Sequence, residues 1–205
     1  MNPFLLVLSS PSGGGKSTIA RHLLGAREDL GYSVSATTRA PRAGEVDGAQ
    51  YHFLSPAEFA RRVEAGEFVE WAEYGGARYG TLKAEVDRVL AAGQHVVLDI
   101  EVAGARQVRT AFPESVLVFL LPPSGTVLAS RLRARRTDDT ATQARRLDIA
   151  REELGAAGEY DYLVVNDDLV TAVAQVAAIL DAEGRRTNRM PDLGSTVARL
   201  RAELD

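Results

Sequence analysis

The stretch "FLLVLSSPSGGGKST", residues 4–18, decides the fold of this 205-residue chain. Its apolar start predicts a buried strand over residues 4–8, and the glycine-rich loop after it leads into a helical pattern over residues 16–24. A strand that feeds such a loop and then a helix leaves several backbone N–H groups unpaired and converging, as a polyphosphate requires. The stretch therefore predicts a nucleotide-binding loop.

The loop follows most of the pattern G-x-x-x-x-G-K-[ST], which ends here at Gly15, Lys16 and Ser17. In this pattern the lysine reaches the β- and γ-phosphates and the hydroxyl binds Mg²⁺. The first position holds Ser10 instead of glycine, and a Cβ there disfavours any left-handed backbone conformation. The alternative is a glycine-rich turn with an ordinary surface lysine, but the strand before the loop and the helix after it favour nucleotide binding.

Composition limits the classes of function. A chain of 205 residues with 45% hydrophobic content can bury the core of one domain. Its net charge of −4 provides no general attraction to nucleic acid or to a membrane surface. The chain contains no cysteine, which excludes disulfides and thiolate metal sites and fits a reducing cytoplasm. No apolar run approaches the ~18 residues of a membrane helix, so we expect a soluble, cytoplasmic protein without a nucleic-acid or membrane partner.

Short apolar runs alternate with longer helical patterns along the chain, which is typical of a parallel α/β fold. The predicted strands are residues 4–8, 95–100, 115–121 and 162–165. The predicted helices are residues 16–24, 82–92, 103–111, 124–133, 141–158 and 169–183, followed by a peripheral C-terminal helix.

Two stretches interrupt this alternation. Residues 33–80 contain many Gly, Pro and Arg residues and predict an inserted subdomain. Its expected elements are short strands at 51–54 and 68–74 and a short helix at 56–65. Residues 131–146 are rich in arginine and poor in apolar residues, as expected of a solvated lid.

Residues 9–18, 33–53 and 67–81 together resemble the guanylate kinase family. The stretch "TTRAPRAGEVDG" is a long ungapped signature of that family, and "LDIEVAGA" and "VVNDD" follow in the expected order. The resemblance implies a single guanylate kinase-like domain over residues 1–205, with a P-loop NTPase-type parallel β-sheet core flanked by helices. The implied divisions are a core of residues 1–32, 82–124 and 147–205, a mixed α/β GMP-binding subdomain at about 33–81, and an arginine-rich lid at about 125–146.

The same resemblance implies transfer of the γ-phosphoryl group of Mg-ATP to GMP, and to dGMP as well, giving ADP and GDP. ATP would be the co-substrate and Mg²⁺ the metal. The residues implied to contact ATP are Ser12, Gly13, Gly14, Gly15, Lys16, Ser17, Thr18 and, near the adenine, Asn166. The implied Mg²⁺ contacts are Ser17 and, through water, Asp99. Taken alone, Asp99 could cap a neighbouring helix and Asn166 could belong to a turn.

Glu70 is the candidate residue that reads the base. Guanine presents its N1–H and 2-amino groups as adjacent donors that one carboxylate can accept, whereas adenine presents an acceptor at N1. Taken alone, Glu70 favours the interpretation of an exposed carboxylate on an edge strand. The resemblance further implies hydroxyl contacts to the base from Ser35 and Thr81. It implies a contact to the 2-amino group from Glu101, where relatives carry aspartate.

The resemblance also implies two groups of residues around the phosphates. Arginine forks suit phosphate oxygens, although an R-x-x-R pair alone is more typical of a solvated loop. The implied clamp on the GMP phosphate is Arg39, Arg42, Tyr51 and Tyr79, with Glu45 orienting it. The implied catalytic set is Lys16, Arg39 and the lid residues Arg131, Arg135 and Arg146. No general base is required, because the attacking phosphate of GMP has a second pKa near ~6 and is largely dianionic at neutral pH.

Other classes of protein stay open at this point. A non-catalytic scaffold domain could bind phosphorylated peptides in the acceptor pocket, but such a domain could lose its phosphate loop, and Lys16, Ser17 and Asp99 are present here. A different small-molecule kinase is a second alternative. A GTPase switch is not favoured, because no N-K-x-D segment is present to read guanine. The oligomeric state stays open between monomer and homodimer.

Overall fold

The computed structural model describes residues 2–133 and 140–204. The strands in these residues are β1 (Leu5–Ser9), β2 (Leu30–Tyr32), β3 (Ala36–Thr37), β4 (His52–Phe53), β5 (Phe68–Tyr74), β6 (Ala77–Leu82), β7 (His95–Asp99), β8 (Val116–Leu121) and β9 (Tyr162–Val165). The helices are α1 (Lys16–Ala26), α2 (Pro56–Glu64), α3 (Lys83–Ala91), α4 (Val102–Ala111), α5 (Gly125–Arg133), α6 (Thr140–Gly155), α7 (Leu169–Glu183) and α8 (Leu193–Ala202).

A parallel sheet in the order β2-β7-β1-β8-β9 forms the core. Strands covered on both faces need apolar side chains on both, and all five residues of β1 are buried. Its alternate side chains enter opposite layers: Leu6 and Leu8 pack with α1 and α7, whereas Leu5 and Val7 pack with α3 and α4. The predicted α/β fold with a parallel core sheet is confirmed.

The chain segment that follows β2 and precedes α3 forms a second, smaller sheet, whose strand order is β4-β3-β6-β5. β3 pairs parallel with β4 and antiparallel with β6, so the sheet is mixed. β5 and β6 form a hairpin whose turn contains Gly75 and Gly76 at φ 60° and 78°, values that glycine adopts without strain. α2 covers this sheet, with the rings of Phe59 and Phe68 stacked 4.5 Å apart between centroids. The mixed α/β character matches the prediction for this stretch.

The predicted elements differ from the structure at their ends and in the shortest strands. The predicted helix at 169–183 coincides with α7. The one predicted at 141–158 divides into α6 and a 3₁₀ turn at Ala157–Glu159. The pattern misses β2, β3 and β6, because two or three residues contain too little alternation and β6 includes Arg, Gly and Thr.

The carboxyl ends of the parallel strands meet at one edge of the core sheet. β1 runs there into the glycine-rich loop, β7 ends at Asp99, and β9 is followed by Asn166. The chain leaves the same edge after β2 to form the second sheet. Ligands of open α/β sheets bind at this edge, so the topology brings the sequence motifs to the expected position.

The C-terminal segment packs at the opposite edge. Arg189 is 6% exposed, and its guanidinium lies 4.2 Å from the ring centroid of Phe4 and donates to the backbone oxygen of Glu114. α8 follows and buries none of its residues, as expected of a peripheral helix. Within residues 2–133 and 140–204, no helix has both the length and the apolar character that a bilayer crossing requires.

Candidate active site

The loop between β1 and α1 has a shape that depends on glycine. Gly13 and Gly15 have φ of 82° and 94°, a left-handed conformation that residues with a Cβ disfavour. A Cβ on Gly15 would lie 2.4 Å from Nδ2 of Asn166, so this position has no room for a side chain. Among the described residues no side chain caps the start of α1, which leaves its first N–H groups available to an anion.

Ser10 fits the first position of the loop pattern without strain. It has no positive φ, it is 1% exposed, and its hydroxyl donates to the Pro11 oxygen at 3.0 Å. A Cβ on Gly14 would lie 2.6 Å from Cβ of Ser10, so the glycine leaves room for the serine. The left-handed strain considered for this position from the sequence is therefore absent.

Asn166 braces the loop from the end of β9. Its Nδ2 donates a 2.8 Å hydrogen bond to the Gly14 oxygen, and its own backbone oxygen accepts from Arg131 at 3.2 Å. The cap of α7 is a different residue, Asp168, whose carboxylate accepts from the Thr171 N–H at 2.8 Å. The Asn166 amide therefore contacts the phosphate loop and does not cap the helix.

Lys16, at the start of α1, pairs with one acidic residue, and a second acidic residue contacts the loop beside it. Its Nζ lies 2.5 Å from Oε1 of Glu101. Burial opposes the charge of Lys16, but the ion pair and hydrogen bond with Glu101 outweigh burial and raise its pKa. Glu153 of α6 contacts the loop itself, and its Oε2 accepts from the Ser12 N–H at 3.0 Å. Burial, together with the neighbouring Glu101, raises the pKa of Glu153 to about 7.

Asp99 accepts two hydrogen bonds beside the loop. The Ser17 hydroxyl donates to its Oδ2 at 2.6 Å, and the Tyr32 hydroxyl donates to its Oδ1 at 3.1 Å. Burial and the Asp99 charge both raise the pKa of Tyr32, which keeps that hydroxyl a donor. The described residues contain no group of three His, Asp or Glu side chains able to hold a metal alone. The Ser17 and Asp99 oxygens instead suit Mg²⁺, which usually keeps waters and takes phosphate oxygens as further ligands.

A cleft opens from Lys16 and Ser17 toward the second sheet. The residues that line it are Lys16, Ser17, Tyr32, Ser35, Arg39, Arg42, Glu45, Tyr51, Glu70, Ala72, Tyr74, Tyr79, Gly80, Asp99, Ile100, Glu101 and Gly104. Both sheets and α4 contribute to this lining. The cleft therefore joins the phosphate loop to the inserted segment in one continuous space.

Glu70 lies at the inner end of the cleft, 5% exposed. Its Oε1 accepts a 2.7 Å hydrogen bond from the hydroxyl of Thr81, which is fully buried on β6. Its Oε2 faces Gly104 of α4, where a Cβ would lie only 2.5 Å away. Burial raises the pKa of Glu70 to about 7, although the hydrogen bonds from Thr81 act in the opposite direction. The pocket thus presents an acceptor that a ligand with N–H donors can satisfy.

The outer end of the cleft is cationic and ordered by one carboxylate. The two Arg39 Nη atoms donate to the two oxygens of Glu45 at 2.9 and 3.0 Å, and the Arg42 N–H donates to the same carboxylate at 2.7 Å. These bonds lower the pKa of Glu45. The Arg39 guanidinium lies 5.3 Å from the Tyr51 ring centroid, and the Tyr51 and Tyr79 rings lie 6.0 Å apart. Two arginines and two tyrosines therefore converge where an anion can bind.

The family model for guanylate kinase matches residues 2–183 of the chain. The chain belongs to the guanylate kinase family. The match includes the phosphate loop, the cleft and both sheets, and it ends where α7 ends. The family predicted from the three sequence segments is confirmed.

Curated guanylate kinases and a solved structure extend this match. The chain is 50% identical to the guanylate kinase of Symbiobacterium thermophilum over 185 residues, covering 90% of this chain and 88% of that protein. It is 46% identical to that of Carboxydothermus hydrogenoformans over 186 residues, covering 91% of each. The crystal structure of guanylate kinase from Anaplasma phagocytophilum superposes with a TM-score of 0.74 at 34% identity, covering 91% of this chain and 89% of that one.

The cleft of this guanylate kinase brings together most of the predicted site residues. Every predicted substrate-binding residue lines the cleft except Thr81, whose buried hydroxyl donates a hydrogen bond to Glu70. Ser12, Gly13, Gly14, Gly15 and Thr18 form the loop and helix start around Lys16. Their individual roles stay predictions.

The predicted lid residues are only partly within the described chain. Arg131 lies near the end of α5 and contacts Asn166. Arg146 lies half-buried on α6. Arg135 and Arg136 fall within residues 134–139, outside the described residues. The structure thus places two of the three predicted lid arginines on helices next to the phosphate loop.

Three residues of the guanylate kinase site are not among those predicted from the sequence. Tyr32 hydrogen-bonds to Asp99, Gly104 leaves room for the Glu70 carboxylate, and Glu153 accepts from the phosphate loop. A glycine in the first turns of α4 was an available signal for close packing, because glycine is a poor helix former. Tyr32 and Glu153 carry no local signal, since a tyrosine in a strand and a glutamate in a helix are ordinary.

Proposed function

We propose that this guanylate kinase transfers the γ-phosphoryl group of ATP to GMP, giving ADP and GDP. One observation carries the proposal: the phosphate loop with Lys16 and the buried carboxylate of Glu70 belong to the same cleft. A donor polyphosphate and a guanine-bearing acceptor can therefore bind with their phosphates facing each other. Positioning and charge neutralisation then supply the catalysis.

The base of GMP would bind at the inner end of the cleft. Guanine's N1–H and 2-amino groups would donate to the Glu70 carboxylate, whose position the Thr81 hydroxyl supports. Ser35 would supply a hydroxyl to the base, and Glu101 would accept a further hydrogen bond from the 2-amino group. Adenine would leave the buried Glu70 without donors, which costs far more than a lost surface contact. dGMP keeps the same base, and we propose it as a second acceptor.

The GMP phosphate would bind at the outer end, between Arg39, Arg42, Tyr51 and Tyr79. Glu45 holds Arg39 in a two-point ion pair, so the guanidinium is ordered before the ligand arrives. A phosphate with second pKa near ~6 is already dianionic at neutral pH. No side chain is needed as a general base to activate it.

ATP would bind along the loop formed by Ser12, Gly13, Gly14, Gly15, Lys16, Ser17 and Thr18. Lys16 would contact the transferred group and neutralise its charge. Arg131, Arg135 and Arg146 would approach the same group from the lid. Asn166 would lie near the adenine while its amide nitrogen holds the Gly14 oxygen.

Mg²⁺ would be held by the Ser17 hydroxyl directly and by Asp99 through water. When bound, the ion supplies neutralisation of the phosphate charges. The hydrogen bond between these two side chains keeps their oxygens 2.6 Å apart and beside the loop. The Tyr32 hydroxyl fixes the other oxygen of Asp99, so the carboxylate has a defined orientation.

We propose that the chain is divided into a core and two parts that close over the cleft to exclude water during phosphoryl transfer. Residues 1–32, 82–124 and 147–205 would form the core, about 33–81 the GMP-binding subdomain and about 125–146 the lid. Closure of the last two over the cleft would keep water from accepting the phosphoryl group. Composition supports the cytoplasm as the compartment, since the chain has no cysteine.

A coupled assay for ADP release tests the proposal. The purified protein receives Mg-ATP and, in separate reactions at equal concentration, GMP, dGMP, AMP, CMP or UMP. We expect a preference for GMP over AMP on the order of 10⁴-fold, because a buried acceptor left without donors is strongly unfavourable. Absence of turnover with every acceptor, in protein shown to be folded by circular dichroism, would contradict the proposal and favour the phosphopeptide-binding scaffold.

A further inference from the structure

β5 is an edge strand of the small sheet, and a side chain from the core binds its open edge. Among the described strands β6 alone pairs with β5, so alternate backbone groups of β5 face away from its partner. The carboxamide of Gln107, on α4, takes two such groups of one residue. Its Oε1 accepts from the Trp71 N–H at 3.1 Å, and its Nε2 donates to the Trp71 oxygen at 2.9 Å. Gln107 thus bonds to Trp71 as a residue of a neighbouring strand would.

One face of α4 contacts two consecutive residues of β5. Gly104 leaves room for the carboxylate of Glu70, and Gln107, three residues further along the helix, holds the backbone of Trp71. The Nε2 atom of Gln107 also lies 3.3 Å from the backbone oxygen of Ala103, so the carboxamide is tied to its own helix as well. The base-reading residue and the residue after it are therefore both fixed against α4.

The pairing of β5 with β6 is irregular at the base-reading residue. Phe68 lies opposite Leu82 and Glu70 lies opposite Thr81, so β5 contains one extra residue, Val69. Such a bulge disrupts the ladder locally and redirects the side chains beside it. The ladder with β6 therefore defines the backbone around Glu70 less strongly than a regular pairing would, and contacts from α4 have to supply the rest.

We propose that Gln107 is a positioning residue of the guanine pocket, which directs the Glu70 carboxylate by holding both backbone groups of Trp71. The Trp71 N–H belongs to the planar peptide group that begins at the Glu70 carbonyl, so a hydrogen bond to it orients the backbone of Glu70. Gln107 does not line the cleft, so it acts through Glu70 and not on the nucleotide. This inference deepens the proposed function and rests on it, since it takes guanine as the ligand of Glu70.

The contact matters because the base has to be placed relative to the phosphate loop. Thr81 holds Glu70 relative to β6, within the small sheet, whereas Gln107 holds β5 relative to α4. α4 follows β7, which ends at Asp99 beside the loop. A carboxylate that accepts from N1–H and the 2-amino group together needs both of its oxygens in place. A shift of β5 along α4 would therefore weaken one of the two bonds to guanine.

The variant Gln107→Met tests the proposal, because methionine keeps the length and helix preference of glutamine but forms neither hydrogen bond. Titration calorimetry should show GMP binding about tenfold weaker, the size expected for one or two lost hydrogen bonds. Binding of a non-hydrolysable ATP analogue should change less than about twofold, since the phosphate loop keeps its contacts. Unchanged GMP affinity, or an equal loss for both nucleotides, would overturn the proposal.

Selectivity between GMP and IMP is the second measurement. The base of IMP has the N1–H group but no 2-amino group, so the comparison reports how well the carboxylate is directed at both donors. The ratio of kcat/KM for GMP to that for IMP should fall several-fold in Gln107→Met. A ratio equal to that of the parent protein would show that Gln107 does not direct Glu70.

Gln94→Met is the matched control. The Nε2 atom of Gln94 donates to the backbone oxygens of Glu28 and Leu30 at 2.8 and 3.2 Å, just before β7 and at the sheet edge opposite the cleft. This variant also loses two hydrogen bonds between a carboxamide and the backbone. It should lower the melting temperature by a similar amount while GMP affinity and the GMP-to-IMP ratio stay at the parent values. An equal loss of GMP affinity in both variants would overturn the proposal.

A double-mutant cycle with Glu70→Gln separates positioning from a general structural role. If Gln107 acts through Glu70, Gln107→Met should weaken GMP binding less than about twofold further in the Glu70→Gln protein, because residues that act as a unit are not additive. A full additional tenfold loss in that background would indicate an independent structural effect and would overturn the proposal.

A second variant and the parent protein complete the design. If Gln107→Met does not fold, Gln107→Glu makes the same test, because its carboxylate places an acceptor against the Trp71 oxygen and should weaken GMP binding at least as much. Parent protein that turns over GMP, with GMP affinity unchanged in the Gln107 variants, removes the positioning role alone. Folded parent protein that neither binds nor turns over GMP removes the proposed function, and the positioning role with it.

Discussion

The hydroxyl of Thr81 donates a 2.7 Å hydrogen bond to Oε1 of Glu70 across neighbouring strands of the small sheet. It is a neutral donor, so it orients the carboxylate without neutralising it. Burial therefore dominates and raises the pKa of Glu70 to about 7. A buried carboxylate with an oxygen facing a glycine is costly unless a ligand supplies donors, and guanine supplies two.

Glu70→Gln should weaken GMP binding and reduce discrimination between bases. The amide replaces one acceptor by a donor that faces a donor of guanine, which costs about 1–3 kcal/mol, or roughly a 5- to 150-fold loss of affinity. Ratios of kcat/KM for GMP and AMP measure the effect. Glu73→Gln, on an exposed position of the same strand, is the control and should keep the ratio. Unchanged selectivity in Glu70→Gln would remove Glu70 from the base pocket.

The stability of the nucleotide-free protein should depend on pH through Glu70. Its pKa is about 7 when folded against an ordinary value of 4.5, so folding disfavours the ionised form and stability falls as pH rises from about 4.5 through 7. Glu70→Gln removes this dependence and should raise the unfolding free energy relative to the parent by up to about 3 kcal/mol at pH 8.

At pH 4 the parent and Glu70→Gln should be close in stability, since Glu70 is then neutral in the folded state and largely neutral in the unfolded state. Urea unfolding at the two pH values makes the comparison. A stabilisation of equal size at both values would mean that ionisation of Glu70 is not its cause.

Lys16→Met should leave GMP affinity nearly intact while kcat falls by about 10²–10³-fold, because the lysine acts on the transferring group. Calorimetry with GMP and the ADP-release assay give the two quantities. Lys83→Met, at the exposed start of α3, is the control. A loss confined to GMP affinity would refute the position proposed for Lys16.

Gly104→Ala should weaken GMP binding about tenfold or more by displacing Glu70. The new Cβ would lie 2.5 Å from Oε2 and 3.1 Å from the carboxyl carbon, so the side chain of Glu70 has to move. Gly25→Ala, in α1, meets nothing within 4 Å and should instead stabilise its helix by up to about 1 kcal/mol. GMP titration and thermal unfolding of both variants separate the two effects. Full GMP affinity in Gly104→Ala would contradict the packing argument.

Asn166→Ala should raise KM for ATP with little effect on KM for GMP. The substitution leaves the buried Gly14 oxygen without its 2.8 Å hydrogen bond, at a cost of about 1–3 kcal/mol that loosens the phosphate loop. Asn188→Ala, at an exposed position near the C-terminus, is the matched control. Equal increases in both KM values would indicate a general loss of structure.

The sequence by itself determined the parallel core, the phosphate loop and the family, because their signals are local. A strand, its glycine-rich turn and the following helix are contiguous at residues 5–26; a continuous apolar run indicates the strand, and apolar residues at helical spacing indicate the helix. The candidate residues came from the same kind of evidence: Arg39, Arg42 and Glu45 lie within one short signature, and the structure joins Arg39 to Glu45 in one ion pair.

Only the tertiary structure decided which distant side chains meet. Tyr32 and Asp99 are separated by 67 residues, and Ser12 and Glu153 by 141. Such contacts depend on the register of parallel strands and on how helices pack against the sheet. The residues that lie between the two partners in the sequence give no pattern that predicts either. The same limit applies to the shortest strands, which exist because a neighbour supplies their hydrogen bonds. The phosphate loop could therefore be predicted from its own residues, whereas the carboxylates near Lys16 could be identified only from the tertiary structure.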